Sequence, residues 1–140
     1  MAPAPTTILL VGSDAALLEG LSQSLAGLGY LPKVALGLHD AREIAASDPP
    51  LIAVVRDELA AEPSAEVLRI PLAPGGALVL YHTTGLAVQV LSPAMQRSVL
   101  AELALPLERH RLIALVQQVA ARSAATGRRD REAPPEQRAP

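Results

Sequence analysis

The sequence predicts a doubly wound α/β domain in which five parallel strands alternate with helices. Short apolar runs typical of buried parallel strands are separated by amphipathic stretches, and the 140 residues leave no room for a second domain. The two most continuously apolar runs, 7–11 and 51–55, are expected near the centre of the sheet. The predicted strand order is therefore 2-1-3-4-5.

The first strand and helix carry the clearest local signals. Residues Thr7 to Val11 form an apolar, β-branched run that stops at a Gly-Ser-Asp sequence, where Ser13 is expected to cap the following helix. Leucines then recur at spacings of three and four, at positions 18, 21, 25 and 28. This pattern predicts an amphipathic helix that ends at Gly27-Leu28-Gly29, where a left-handed residue is easily accommodated.

The same unit repeats along the chain. Further strands are predicted at 31–36, 51–55, 77–81 and 100–105, and further helices at 40–47, 64–68 and 107–122. Residues 86–91 have two interpretations, a helix that parallel topology favours or an antiparallel strand. The folded domain is predicted to span 7–122, with disorder at 1–6 and in the polar, proline-rich stretch 123–140, which is a tail or the beginning of a linker.

Composition excludes several classes of function. A net charge of -2 without a basic stripe argues against a nucleic-acid partner, and no apolar run reaches the ~18 residues of a membrane helix. The chain lacks cysteine, which excludes disulfides and thiolate chemistry and suits a cytoplasmic location. His39, His82 and His110 are scattered without metal-ligand spacing. Because nucleophile-elbow and phosphate-loop motifs are also missing, we expect no enzyme activity.

Four short stretches resemble landmarks of one family. They are Ile8–Asp14 (I-L-L-V-G-S-D), Pro50–Val55 (P-L-I-A-V-V), Val79–Thr83 (V-L-Y-H-T) and Leu103–Leu107 (L-A-L-P-L). In this order they resemble the receiver domains of two-component response regulators, across residues 7–122. The resemblance implies a flavodoxin-like fold, a role in phosphorelay signalling, and a histidine kinase or an output domain as partner. It also implies a cis bond before Pro106.

The resemblance further implies a pocket made of an acid pair, a phosphoacceptor aspartate, a switch hydroxyl and a lysine. The matching positions are Gly12 and Ser13 with Asp14 one step further on, Arg56 with Asp57 beside it, Thr83 or Thr84, and Leu105. Three acids have thus become one cation, and the lysine is lost. Because Mg²⁺ needs hard oxygen ligands, we expect no metal site, with Asp14 at most a partial ligand.

Two residues of this set have alternative interpretations. Arg56 is either a surface cation or a fixed positive charge where Mg²⁺ would lie. Asp57 is either a solvated acid after the strand or, if a bulge turns it into the pocket, the phosphoacceptor.

These alternatives lead to three hypotheses about function. The leading hypothesis is a pseudo-receiver that acts by protein–protein contact without a cofactor. The second is an atypical receiver that is still phosphorylated on Asp57 and uses Mg²⁺, and the third is a flavodoxin-like domain that binds a small ligand at the same strand ends. Apolar Leu103, Leu105 and Leu107 predict an exposed apolar strip on the last strand and helix, which would suit a partner or a weak homodimer.

Overall fold

The computed structural model describes residues 6–60, 66–83 and 93–132, and side chains as far as residue 125. Five parallel strands form one sheet in the order β2-β1-β3-β4-β5, which confirms the predicted topology. The strands are β1 (Thr7–Val11), β2 (Leu31–Ala35), β3 (Ile52–Arg56), β4 (Ala77–His82) and β5 (Val99–Ala104). The helices are α1 (Ala15–Gly27), α2 (Leu38–Ser47), α3 (Asp57–Ala60), α4 (Pro93–Ser98) and α5 (Arg109–Glu132), with a 3-10 turn at Glu66–Arg69.

Aliphatic side chains cover both faces of the sheet. Along β1, Ile8 and Leu10 pack on the layer that contains α1 and α5, whereas Leu9 and Val11 pack on the layer that contains α2 and α4. Every residue of β1 is buried, because alternate side chains enter two different layers. This two-sided burial explains why the central strands are continuously apolar in sequence.

The ends of α1 show one incorrect and one correct prediction. Asp14, not Ser13, is the N-cap residue, and its side chain makes no capping hydrogen bond. Its carboxylate is bonded elsewhere, as described below. At the other end Gly29 has a φ of +94°, and the Tyr30 N–H donates to the Leu25 carbonyl at 3.1 Å, as the glycine pattern predicts.

Helix α5 continues beyond the predicted domain boundary at residue 122 and is helical as far as Glu132. The stretch after Ser123 begins with alanines, which favour helix, and Gly127 costs only about 1 kcal/mol inside one. The helix is also anchored by its buried face, with Leu112, Val116 and Val119 in the core. The predicted disorder at 123–132 therefore differs from the structure.

Three other predictions fall wholly or partly outside the described residues. These concern segment 86–91, the ends 1–5 and 133–140, and the first part of the predicted helix 64–68, whose remainder is the 3-10 turn. Among the helices that the structure describes, none combines the length and the apolar character needed to cross a bilayer.

A small polar network lies at the amino-terminal edge of the sheet. The Thr7 hydroxyl donates to the Asp48 carboxylate at 2.7 Å, and the Lys33 ammonium lies 3.1 Å from the same oxygen. The three residues belong to β1, the residue after α2, and β2, so the network joins the amino end of β1 to its neighbours.

Candidate functional site

The carboxyl ends of β1, β3 and β4 bring three residues into one row. Val11 pairs with Val55, so Gly12 lies next to Arg56, and Arg56 is the register partner of Tyr81. This edge is where doubly wound sheets place their ligands. The row therefore defines the candidate site.

Arg56 is the central charged residue of the site. Its Nη1 forms an ion pair with Asp14 Oδ2, and the two side chains are only 18% and 30% exposed. Its Nη2 makes longer contacts of 3.4 Å to Thr83 Oγ1 and to Glu58 Oε1. The hydrogen bond to Asp14 raises the pKa of Arg56, so the guanidinium stays charged. Arg56 is thus a half-buried, paired cation instead of a freely solvated surface residue.

The guanidinium also has one unsatisfied atom. Among the described residues, Arg56 Nε is buried and has no hydrogen-bond partner. A buried unpaired donor is destabilising. The Asp14 contact therefore has to offset part of the cost of holding this side chain inside the site.

Tyr81 completes the site, and sequence reasoning missed it. The side chain is fully buried, and its hydroxyl donates to Asp14 Oδ2 at 3.3 Å, the same oxygen that Arg56 binds. Burial and the negative charge of Asp14 raise the pKa of Tyr81, so its hydroxyl remains a donor well above neutral pH. A signal was available in sequence, since Tyr81 is one of only two aromatic residues in the chain.

The absence of a side chain at Gly12 leaves room for the Tyr81 hydroxyl. A Cβ atom on Gly12 would lie 2.1 Å from the Tyr81 hydroxyl oxygen, closer than real contacts of this kind. The phenol therefore occupies the space that the first atoms of any side chain at position 12 would need. This close approach explains why a glycine follows the first strand directly.

The other residues that the resemblance selected differ in whether they contact Arg56 and in how far they are buried. Ser13 is exposed, and its carbonyl accepts the Ala15 N–H at 3.0 Å. Asp57 is half-buried as the first residue of α3, and its charge contributes to the raised pKa of Tyr81. Thr83 contacts Arg56 as described, whereas Thr84 lies outside the described residues.

Leu105, at the position matched to the family lysine, is part of the hydrophobic core. It is buried together with Leu103, and its backbone N–H donates to the His82 carbonyl at 2.9 Å. The exposed strip predicted from Leu103, Leu105 and Leu107 is thus wrong for the first two. Both point into the α5 layer, and only Leu107 is open to solvent, at 83% exposure.

Hydrogen bonds to Glu108 stabilise the loop after β5. The Leu105–Pro106 bond is cis, as the resemblance implies. Glu108 accepts the Ala104 N–H at 2.8 Å and an Arg111 Nη1 at 2.6 Å. These bonds, the backbone one foremost, lower the pKa of Glu108.

The side chains present do not fit a Mg²⁺ ion, which receivers use. Gly12 offers no ligand atom, Ser13 is exposed to solvent, and Asp14 Oδ2 already binds Arg56 and Tyr81. In the described part of the chain no group of three or more His, Cys, Asp or Glu could hold a metal ion. A guanidinium about 4 Å from a cation would repel it by about 4 kcal/mol for each unit of charge at the effective dielectric of a protein surface.

Comparison with known proteins gives the fold. No family model matches the chain, and no curated protein matches it. The signal receiver domain of an HD domain-containing protein from Pseudomonas fluorescens Pf-5 is 17% identical, with a TM-score of 0.64 over 92% of this chain and 96% of that one. The response regulator receiver domain from Methylobacillus flagellatus is 16% identical, with a TM-score of 0.66 over 82% and 98%.

A third similar structure is the signal receiver domain of a putative Luxo repressor protein from Vibrio parahaemolyticus. It is 15% identical, with a TM-score of 0.65 over 88% of this chain and 95% of that one. At such identities the likeness is one of fold, and it extends over nearly all of each receiver domain. This chain therefore folds as the receiver domains of response regulators do.

Proposed function

We propose that this chain is a receiver-type signalling module that acts by protein contact and is not phosphorylated. The observation that carries the proposal is the Arg56–Asp14 ion pair, at the strand end where the resemblance places the phosphoacceptor. A positive charge at this position already satisfies the carboxylate that would otherwise help to hold a metal ion. The site then has one stable arrangement, with no phosphoryl group to bind or release.

Asp57 is poorly placed as an alternative phosphoacceptor. It follows Arg56 directly and begins α3, so it is not the residue at the strand end that the resemblance matches to the phosphoacceptor. Phosphoryl transfer depends on positioning and on stabilisation of negative charge, and buried Leu105 supplies no cation where the family has a lysine. Both features favour a module without phosphorylation.

The test uses Mg²⁺ with beryllofluoride, a phosphoryl mimic, followed by amide NMR. We expect no saturable shifts at Ser13, Asp57 or Thr83, in the wild type or in Asp57→Asn. Saturable shifts at these residues that disappear in Asp57→Asn would contradict the proposal and favour an active receiver.

The proposed contact face lies on β5 and the turn before α5. Leu100 in β5 and Leu107 in this turn are 47% and 83% exposed, and exposed apolar surface often marks an interface. We propose that this face binds another signalling protein, a histidine kinase or an output domain, or a second copy in a weak homodimer.

Sedimentation equilibrium tests the homodimer. We expect Leu107→Ser to weaken self-association at least about threefold, since the substitution removes one exposed apolar side chain. Leu36→Ser is the matched control, because Leu36 is also exposed, at 59%, and follows the strand at the opposite edge of the sheet. A wild type that stays strictly monomeric would remove the homodimer and leave the face to another protein, to be tested with the same two variants.

A further inference from the structure

We infer that Arg56 and Tyr81 together replace a divalent cation and one of its acidic ligands. The guanidinium takes the place of the cation beside Asp14, and the phenol takes the place of a side chain at position 12. This inference rests on the proposed function, because a site that is permanently filled has no use for a metal-dependent phosphoryl group. It adds a residue, Tyr81, that the resemblance to receivers does not select.

The electrostatic half of the replacement is the guanidinium. It is the last residue of β3, is bonded to Asp14 and lies 3.4 Å from the exposed Glu58. Two carboxylates around one position would repel each other without a cation between them. Arg56 supplies that positive charge as part of the chain, so no ion needs to be captured from solution.

The steric half is the phenol. Tyr81 cannot swing away easily, because its ring is fully buried in the layer formed by α1 and α5. Its hydroxyl lies where a Cβ on Gly12 would have to be, while Arg56 Cβ, at 3.5 Å, is at an ordinary contact distance. Position 12 can therefore carry a ligand side chain only if Tyr81 gives up its hydroxyl.

The two halves meet at a single atom. Arg56 and Tyr81 both bond to Asp14 Oδ2, so the phenol orients the carboxylate toward the guanidinium. Tyr81 is thus a positioning residue that acts on Arg56 through Asp14. Removing Arg56 alone leaves the phenol in place, and removing the phenol alone leaves the positive charge.

The steric half is tested by a double-mutant cycle of Gly12→Ala and Tyr81→Phe, with unfolding in urea as the measurement. In the wild type, Gly12→Ala should lower the folding equilibrium constant at least about tenfold, as overpacking does. In the Tyr81→Phe background, Gly12→Ala should lower the folding equilibrium constant by less than about threefold. The hydroxyl is then absent, and the nearest ring atom, Cζ, lies 3.3 Å from the added Cβ. The control is Gly20→Ala in α1, where a Cβ meets nothing within 4 Å, and no loss is expected.

The electrostatic half is tested by Mn²⁺ titration followed through paramagnetic broadening of amide signals. The wild type should show no saturable broadening at the site. The triple variant Gly12→Asp, Arg56→Asp, Tyr81→Leu should bind Mn²⁺ at least about tenfold more tightly than Arg56→Asp alone, because it gains a ligand as well as losing the guanidinium.

Three results would overturn the inference. The first is saturable Mn²⁺ binding at Asp14 in the wild type, and the second is equal Mn²⁺ affinity of Arg56→Asp and a folded triple variant. The third is a Gly12→Ala effect on the folding equilibrium constant that is the same with and without the Tyr81 hydroxyl. If the triple variant does not fold, the double-mutant cycle still decides. The inference and the proposed function can fail separately. Additive effects in the cycle would remove the role of Tyr81 alone, whereas beryllofluoride binding that depends on Asp57 would remove the proposed function.

Discussion

The two ends of the sheet each carry an ion pair, and the pairs differ in what surrounds them. Arg56–Asp14 at the carboxyl edge is 18% and 30% exposed and lies against a buried phenol. Lys33–Asp48 at the amino edge is 33% and 42% exposed, and the Asp48 carboxylate also accepts a hydrogen bond from the Thr7 hydroxyl. One pair lies at the candidate site, whereas the other joins β1 to its neighbours.

Burial explains this difference. An exposed pair contributes about 0–1 kcal/mol, since water and salt screen it. A half-buried cation is different, because removing its partner leaves a charge that water cannot fully solvate. Position on the sheet thus affects how strongly water screens an ion pair, and three further predictions test this comparison.

The largest effect is expected for Asp14→Ala. This substitution leaves the Arg56 guanidinium and the Tyr81 hydroxyl without their shared acceptor, and we expect the free energy of unfolding to fall by about 2 kcal/mol. Urea denaturation measures the change. Asp48→Ala at the amino edge is the matched control, with an expected loss below about 1 kcal/mol. Equal losses at the two edges would show that burial does not distinguish them.

Ionisation of Tyr81 gives the second prediction. Because burial raises its pKa in the folded state, Tyr81 should titrate above the usual value of about 10. The unfolded chain loses this proton first, so the stabilisation is fully present below about pH 10 and is lost as the pH rises further. Absorbance near 295 nm follows the titration, since the chain has two tyrosines and no tryptophan, and Tyr81→Phe identifies the component. A component lost in Tyr81→Phe that titrates at or below about pH 10 would contradict the burial argument.

The smallest effect concerns Asp48. The hydrogen bond from Thr7, and then that from Lys33, lower the pKa of Asp48 in the folded state. Its contribution to stability is present above the unfolded value of about 3.9 and is lost as the pH falls through the folded one. Thr7→Val should raise the Asp48 pKa toward its ordinary value, as carboxyl carbon NMR would show. No movement of that pKa would mean that Lys33 alone sets it.

Much of the fold could be predicted from sequence because it depends on local patterns. Two-sided burial made the first and third strands continuously apolar, and that alone located them in the sheet. The end of α1 was also predictable, because Gly29 adopts the left-handed backbone conformation that the glycine pattern predicts there. The end of α5 was misjudged because charge and proline content were weighed above the helix propensity of the alanines after Ser123.

The candidate site was only partly predictable. Asp14, Arg56 and Thr83 could be selected from the ends of strands, but their partners could not. Leu103 and Leu105 were predicted to be exposed and are buried instead, because the side of an edge strand that faces solvent depends on what packs against it. The cation that binds Asp14 lies 42 positions away in sequence, so local patterns could not identify it.

By itself the sequence determined the class of fold and the central strands, and it places Gly12, Ser13, Arg56 and Leu105 at the positions that the resemblance matches to a receiver's acids and lysine. Only the tertiary structure decided what surrounds these positions. The register of three parallel strands brings Gly12, Arg56 and Tyr81 into one row, and the absent Cβ of the glycine admits the hydroxyl of the tyrosine. Such a fit depends on distances of a few ångströms between residues far apart in the chain, which local periodicity and composition do not encode.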